Sequence, residues 1–271
     1  MAVPVVRLDQ GIHVMHLFYR MDRTVWADQM EGVSANVREK LEALVAANAN
    51  PCQPRIVSFV NVGGKADLVF MIYAEELAKL SELHRELEGC FPPDAIDLVY
   101  SYLSVTELPE YVTTEDDLKR MIIGEENLEE GTDEFAARFD GYKKKQKEYQ
   151  HYRLYPELPD WEVMGFYPMS KRRSGVDNWY ALDFDTRKKL MTGHAKVGRQ
   201  YAGRISQLIT GSTGLDDWEW GVTLMAHQVD ALKEIVYEMR FDEVSARYGE
   251  FGPFYVNLRM DLGGAWEHLK L

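Results

Sequence analysis

In the stretch FYPMSKRR a phenol, a thioether and an ammonium stand at alternate positions, as Tyr167, Met169 and Lys171. Side chains two apart in a strand share a face, so all three would look into one space if that face lines a pocket. A second stretch, LMTGHAKVGRQYAG, sets His194 with Leu190, Val197 and Tyr201 at the i, i+4, i+7, i+11 spacing of one helical face. The imidazole is therefore expected to be at least partly buried. A lone histidine on such a face is either a core residue whose ring nitrogens find a carbonyl or hydroxyl, or a metal ligand. No second histidine follows at i+3 or i+4, and no cysteine or carboxylate pair lies nearby, which leaves a tetrahedral zinc site little support. The proximal side of a haem iron, by contrast, needs one protein ligand.

Other polar residues occupy positions that are costly to bury without a purpose. Arg153 lies in HYRLYPELP, Gln207 in a strand otherwise rich in Ile and Leu, and Arg240 and Ser245 in YEMRFDEVSARY. Each has an ordinary structural reading as well: Tyr167 as a half-buried strand tyrosine, Lys171 snorkelling at a strand end, Gln207 as an edge position, Arg240 paired with Asp242 or Glu243. Together they describe a cation-lined pocket beside a helical histidine.

The elements that must position these residues repeat. The first half reads as the strand IHVMHLFYR, a helix from Thr24 to about Ala47, and a hairpin RIVSFVNVGGKADLVFMIYA turned at Gly63 and Gly64. A helix over about 75–88 and the strand AIDLVYSYLSVTEL complete it. The second half reads as the strand WEVMGFYPMS, a helix over 184–201 capped by Asp183 or Asp185, and the hairpin GRISQLITGSTGLDDWEWGVTLMAH. The helical VDALKEIVYEMRFDEVSARY and the strand FGPFYVNLRM follow. Both give β-α-β-β-α-β, the ferredoxin-like order. The expectation is an α+β protein with residues 1–112 and 150–271 as two ferredoxin-like halves packed sheet to sheet, helices outside, and a pocket between sheet and helix. The charge-rich segment 113–149 between them reads as a linker with room for one short helix.

The chain has 271 residues and is 46% hydrophobic, enough for a substantial core. Its formal net charge of −13 argues against a nucleic-acid partner but leaves room for a local basic pocket. Cys52 and Cys90 form neither a close metal-binding pair nor a disulfide framework. The start, MAVPVVRLDQ, lacks the features of a secretory signal, and no apolar run approaches a membrane span. The expectation is a soluble cytoplasmic protein.

The blocks RLYPELP, FYPMSKRRSGVDNWY, GHAKVGRQYAGRISQLITGSTGLDDWEWGVTL and VYEMRFDEVSARYGEFGPFYV resemble those of the coproheme decarboxylases, a branch of the chlorite dismutase-like superfamily. The likeness is dense over about 150–257; the first half is similar mainly in element order. The resemblance implies a chlorite dismutase-like α+β barrel that binds iron coproporphyrin III (coproheme) as both substrate and redox cofactor. It implies His194 as the iron ligand and Tyr167 as the residue oxidised to a radical when hydrogen peroxide reacts at the iron. Two propionates then become vinyls through a three-propionate intermediate, giving haem b. Arg153, Met169, Lys171, Arg240 and Ser245 match substrate-contacting or nearby positions, Lys171 with an added part in proton handling, and Trp179 and Trp220 match tryptophans near the pocket.

Gln207 stands where chlorite dismutases carry an arginine; a neutral amide cannot supply that charge, so chlorite chemistry is disfavoured. One departure is Glu110 in VTELPEYV, where the family often has asparagine near a propionate, since two carboxylates would repel. Another is the length of the acidic 113–149 segment. The resemblance further implies a homopentamer and transient contact with a ferrochelatase. Two other readings are a non-catalytic haem or coproheme carrier, which would need His194 but not Tyr167, and a haem-free scaffold, for which a basic pocket would serve nothing.

Overall fold

The computed structural model describes residues 4–28, 31–49 and 55–271. Cys52 lies outside them; Cys90 is a half-buried free thiol. The first half contains β1 (His13–Met21), α1 (Arg23–Ala27), α2 (Glu31–Ala47), β2 (Arg55–Asn61), β3 (Leu68–Ala74), α3 (Leu77–Glu88) and β4 (Ile96–Val105). The helix expected from Thr24 to Ala47 is thus present as two described pieces. Gly64 adopts φ +70 in the β2–β3 turn, a conformation glycine enters without a steric penalty.

The second half contains β5 (Val163–Lys171), α6 (Phe184–Arg199), β6 (Ile205–Gly211), β7 (Trp220–Ala226) and α7 (Val229–Met239), then a π-helical turn over Val244–Tyr248, β8 (Gly249–Phe251) and β9 (Tyr255–Arg259). Of the two candidate caps, Asp183 is the one used: its Oδ1 accepts from Thr186 N at 2.9 Å. The sheet runs β7-β6-β4-β1-β3-β2-β9-β5, with β8 beside the end of β5, and β5 pairs with β7 to close the ring.

Closure is uneven. β1–β3 and β5–β7 are paired over seven residues each, whereas β4 meets β6 only at Val105↔Gly211 and β2 meets β9 over three pairs. At the β4–β6 seam the Glu107 carboxylate would lie 2.5 Å from a Cβ on Gly211, so a side chain there would push the seam apart. Inside the ring both halves share one core, including Val14, Phe18, Met71 and Tyr73 from the first and Met164, Phe166, Leu208 and Met225 from the second. Outside, α2 and α3 seal the first half with Leu41, Leu80, Leu83 and Leu87, all 0% exposed. An eighth helix not foreseen from the pattern, α8 (Leu262–Leu269), returns the chain end to this half and sets Trp266 edge-on to Trp26 at 6.2 Å.

Segment 113–149 differs from expectation. It forms two helices, α4 (Glu115–Glu125) and α5 (Asp133–Leu154), the second of 22 residues. Thr114 and Asp117 make a capping box at the start of α4; Lys143–Glu115 and Arg138–Glu126 hold α5 against α4 and its C-terminal end, and Lys119–Glu130 ties α4 to the connection between them. Most of the charges that suggested a linker stand in solvent on the two helices, and two ion pairs, Lys143–Glu115 and Arg138–Glu126, join α5 to α4 and its C-terminal end, so the segment shows little apolar face. Among the described residues no helix is long and apolar enough to cross a membrane.

Candidate functional site

α6 carries His194, and its sequence is amphipathic, yet none of its side chains is fully buried. Leu190, His194 and Val197 are half-buried, as the spacing predicts for one face, with Tyr201 buried beyond the helix end. His194 Nδ1 lies 2.7 Å from Asp242 Oδ2, and the Asp242 side chain is only 7% exposed. The same oxygen accepts from Ser245 N at 3.2 Å and Oγ at 3.3 Å. A carboxylate on Nδ1 fixes the proton there and leaves the Nε2 lone pair free, the arrangement that orients a metal-ligating imidazole. Nε2 has no hydrogen-bond partner among the described residues, so the donor set fits a metal that takes one protein ligand. No group of three His, Cys, Asp or Glu residues able to hold a bare ion occurs among the described residues.

Asp242 was legible in the sequence only as a partner for Arg240. It is instead the partner of His194, and Glu243 pairs with Arg247 at 3.0 Å. Arg240 makes no ion pair among the described residues; its guanidinium lies 4.1 Å from the Phe251 ring centroid. Ser245 spends its hydroxyl on Asp242.

On β5, Tyr167 is 6% exposed, Lys171 7%, and Met169 half-buried. Tyr167 packs against Phe254 at 4.6 Å and Phe251 at 5.8 Å. Burial raises its phenol pKa, with Arg240 pulling the other way, so the hydroxyl keeps its proton. Lys171 is brought down to about 8, by burial first, opposed by Asp242 and Glu219. Its ammonium stands 4.7 Å from the Trp179 ring centroid, and its backbone N donates to the buried Glu219 carboxylate at 2.7 Å. Trp179 is 4% exposed and packs on Tyr248, so it forms the floor beneath Lys171.

β6 places Gln207 half-buried under the C-terminal part of α6, where a Cβ on Gly198 would stand 3.4 Å from Gln207 Nε2. The outer edge of β6, paired with β4 at one position only, is capped by the end of α5. Tyr152 OH lies 3.1 Å from Ser206 Oγ and 3.4 Å from Gln207 O, and Arg153 Nη2 donates to Glu107 O at 3.3 Å and Ile209 O at 3.4 Å. Arg153 Nε is buried with no partner. A guanidinium whose partners are carbonyls, with one N–H unspent, is suited to an additional anion. Trp220 is half-buried on β7, facing the Glu107 carboxylate.

Glu110 faces Arg187 on the first turn of α6, with Oε1 3.1 Å from Nη2. Asp117 of α4 takes Lys188 at 2.7 Å on the same turn. The departure at Glu110 and the long acidic segment therefore meet at one place, the start of the histidine helix, where arginine and lysine neutralise them.

A cavity of about 340 Å³ is bounded by Tyr167, Leu224, Arg240 and Phe254, and none of His194, Gln207, Met169, Lys171, Ser245 or Arg153 lines it. Of the nominated residues, the structure gathers His194 and Ser245 at Asp242, which also acts on Lys171, and joins Tyr167 to Arg240 at the cavity. Gln207 and Arg153 stand on β6 and at its edge.

Residues 34–260 match the chlorite dismutase family. Among solved structures, one described as a novel heme-binding protein from Thermus thermophilus is 36% identical with a TM-score of 0.79, over 99% of this chain and 98% of that one. The chlorite dismutase from Candidatus Nitrospira defluvii in complex with imidazole is 18% identical with a TM-score of 0.71, over 97% of each chain; that likeness is one of fold.

Proposed function

The chain belongs to the chlorite dismutase family, and from that premise we propose that it is a coproheme decarboxylase. In this reading it uses hydrogen peroxide to convert two propionates of iron coproporphyrin III into vinyls, by way of a three-propionate intermediate, and releases haem b. Each conversion takes up one peroxide and one proton and yields carbon dioxide and two waters. The observation that carries the reading is the His194–Asp242 pair beside a strand that holds a buried phenol and a buried ammonium on one face. Bound to His194, the iron porphyrin would supply the two-electron oxidising power of peroxide and present its own carboxylates as substrate.

The chain's residues do the rest. Asp242 holds the His194 ring with Nε2 outward. Tyr167 has no hydrogen-bond partner among the described residues, so its O–H is available to exchange a hydrogen atom with a bound molecule. Lys171, near pH 8, can hold a propionate as an ammonium and take or give a proton. Arg153, with its unspent Nε, and Arg240, unpaired among the described residues, receive the remaining carboxylates. Gln207 adds no charge to the site, which favours this reaction over chlorite breakdown. Because the 36% identical structure is described only as heme-binding, the carrier reading is the alternative, and Tyr167 separates the two.

The test is to mix the protein with ferric coproporphyrin III, titrate hydrogen peroxide and follow the porphyrin by mass spectrometry. Two successive losses of a carboxyl group ending at haem b are expected. Tyr167→Phe should bind the porphyrin and leave its mass unchanged; normal turnover in that variant would end the assignment of Tyr167, and binding without mass loss in the native protein would make it a carrier.

A further inference from the structure

β5 outruns its neighbour. Its pairing with β7 ends at Met169↔Trp220, so on that side the main-chain N–H of Lys171 meets no strand. A side chain replaces the missing carbonyl: Glu219, one residue ahead of β7, accepts from Lys171 N at 2.7 Å through Oε2. The main chain of Glu219 is itself held from both sides. Its N donates to Met169 O at 3.1 Å and to Ser170 Oγ at 3.2 Å, and its O accepts from Ser212 N at 2.7 Å. The carboxylate is therefore placed by β5 and by the β6–β7 hairpin together.

A carboxylate in that position calls for a role. Glu219 is 6% exposed and forms no ion pair among the described residues, whereas a buried charge ordinarily needs a partner that is both charged and hydrogen-bonded. The Tyr180 hydroxyl, in the short helical turn Trp179–Ala181, faces it; burial first and this carboxylate second raise the pKa of that phenol. Beside Tyr180 in the same turn is Trp179, whose ring centroid lies 4.7 Å from the Lys171 ammonium. The contacts close a circuit, from the Lys171 main chain to Glu219, on to Tyr180, and from Trp179 back to the Lys171 side chain. The charged groups that act on Lys171 are few. Asp242, past α7, and Glu219 both favour its ammonium form against burial. Tyr180 stands behind Glu219, with Arg173 and Glu110 acting on it from further out, and Tyr248 of the π-helical turn packs on Trp179. Asp242 already serves His194 Nδ1 and Ser245 Oγ, which leaves Glu219 as the carboxylate with no cation of its own but Lys171.

We propose that Glu219 is a positioning residue of the site: it fixes the end of β5 by accepting the Lys171 N–H, and it is the buried counter-charge that holds the Lys171 ammonium over the Trp179 ring for a propionate to meet. One carboxylate thus secures both the strand end that carries the lysine and the turn that carries its aromatic floor. The inference rests on the decarboxylase reading for the use of Lys171, and it adds a residue to which that reading gives no part.

The first readout needs no porphyrin. Trace acetylation with acetic anhydride from about pH 6 to 10, followed at the Lys171 peptide by mass spectrometry, reports the titration of that amine in the free protein. Its midpoint should lie near 8 in the native protein and about one unit lower in Glu219→Gln, whose amide still accepts from Lys171 N but carries no charge. Ferric coproporphyrin III should then bind Glu219→Gln about threefold more weakly than the native protein at about pH 8, with the difference lost by about pH 6, where both lysines are charged. Tyr180→Phe, at a position 47% exposed, removes the hydroxyl that shares the carboxylate's charge and should move the midpoint upward. An unchanged midpoint in Glu219→Gln would overturn the proposal, and so would an affinity loss that is the same at both pH values, the mark of a merely structural defect. If Glu219→Gln does not fold, Tyr180→Phe decides, and a midpoint that stays in place or falls in that variant overturns the proposal. Failure of the decarboxylase reading shows separately, as native protein that leaves the porphyrin mass unchanged while the acetylation midpoint still moves with Glu219.

Discussion

The two halves follow one element order and use their outer faces in opposite ways. In the first, α3 buries Leu80, Leu83 and Leu87 against the sheet, and α8 adds Trp266 at the margin. In the second, α6 has no fully buried side chain and α7 leaves a cavity along one flank. The second half also holds the buried Lys171, the buried Glu219 and the His194–Asp242 pair. A β-α-β-β-α-β unit thus does not dictate a sealed sheet–helix face. One copy supplies packing, and the other spends packing on space and polar groups, leaning on the shared interior for its stability.

That shared interior gives the largest expected effect. His16 of β1 is 0% exposed, stacks on Phe166 at 4.2 Å and meets Thr223 at 2.9 Å, so it stitches the first half to the second. Burial lowers its pKa from 6.5 to about 3, and its Nδ1 has no partner. The sign follows: as pH falls below 6.5 the unfolded chain takes up a proton that the folded chain refuses, so stability is lost progressively down to about pH 3. The loss amounts to roughly 5 kcal/mol from this one group. Urea unfolding between pH 7 and 4 should show it, and His16→Phe should flatten the acid limb; an unchanged limb would place the acid loss on other groups. The next effect marks the sealed face. Leu83→Ala should cost about 2–5 kcal/mol of unfolding free energy and leave porphyrin affinity in the folded protein unchanged.

The contrast between halves was only partly visible in the sequence. Strand alternation and the 3.6-residue period revealed both β-α-β-β-α-β orders, because each strand buries one or both faces and each helix has an apolar side. They missed α5, whose charges are spread around the helix so that it shows little apolar face, with two of them paired to α4 and its C-terminal end, and α8, whose partner Trp26 is far away in the chain. The face shared by Tyr167, Met169 and Lys171 was legible because strand period sets it locally. Asp242 was not, since 48 residues separate it from His194 and only the packing of α6 on α7 joins them. Sequence proximity pointed to Arg240 instead, three-dimensional proximity to the imidazole.

Asp242→Asn sharpens the contrast on the open side. An amide still reaches His194 Nδ1 but no longer carries the charge that makes the ring a strong donor, and loss of such an outer partner typically lowers metal affinity 10–100-fold. Ferric coproporphyrin should therefore bind about that much more weakly, with Tm little changed. A drop in Tm as large as that of Leu83→Ala would mean that the second half depends on this pair for packing, as the first depends on its leucines.

The smallest effect tests whether the polar groups of the second half are tuned or merely buried. Lys171 sits near 8 in the free protein because burial opposes its charge more than Asp242 and Glu219 support it. Below that pH the ammonium is present and attracts a propionate; above it the attraction fades. Porphyrin affinity measured from pH 6.5 to 9.5 should fall by about tenfold or less with a midpoint near 8, a contribution of the order of one charge-assisted contact. Lys171→Gln should be weak throughout and lose that midpoint, whereas Lys171→Arg should stay charged and shift the fall out of the range. A midpoint that persists in Lys171→Gln would place the titration on another group, and the second half would then differ from the sealed face only in how much space it leaves.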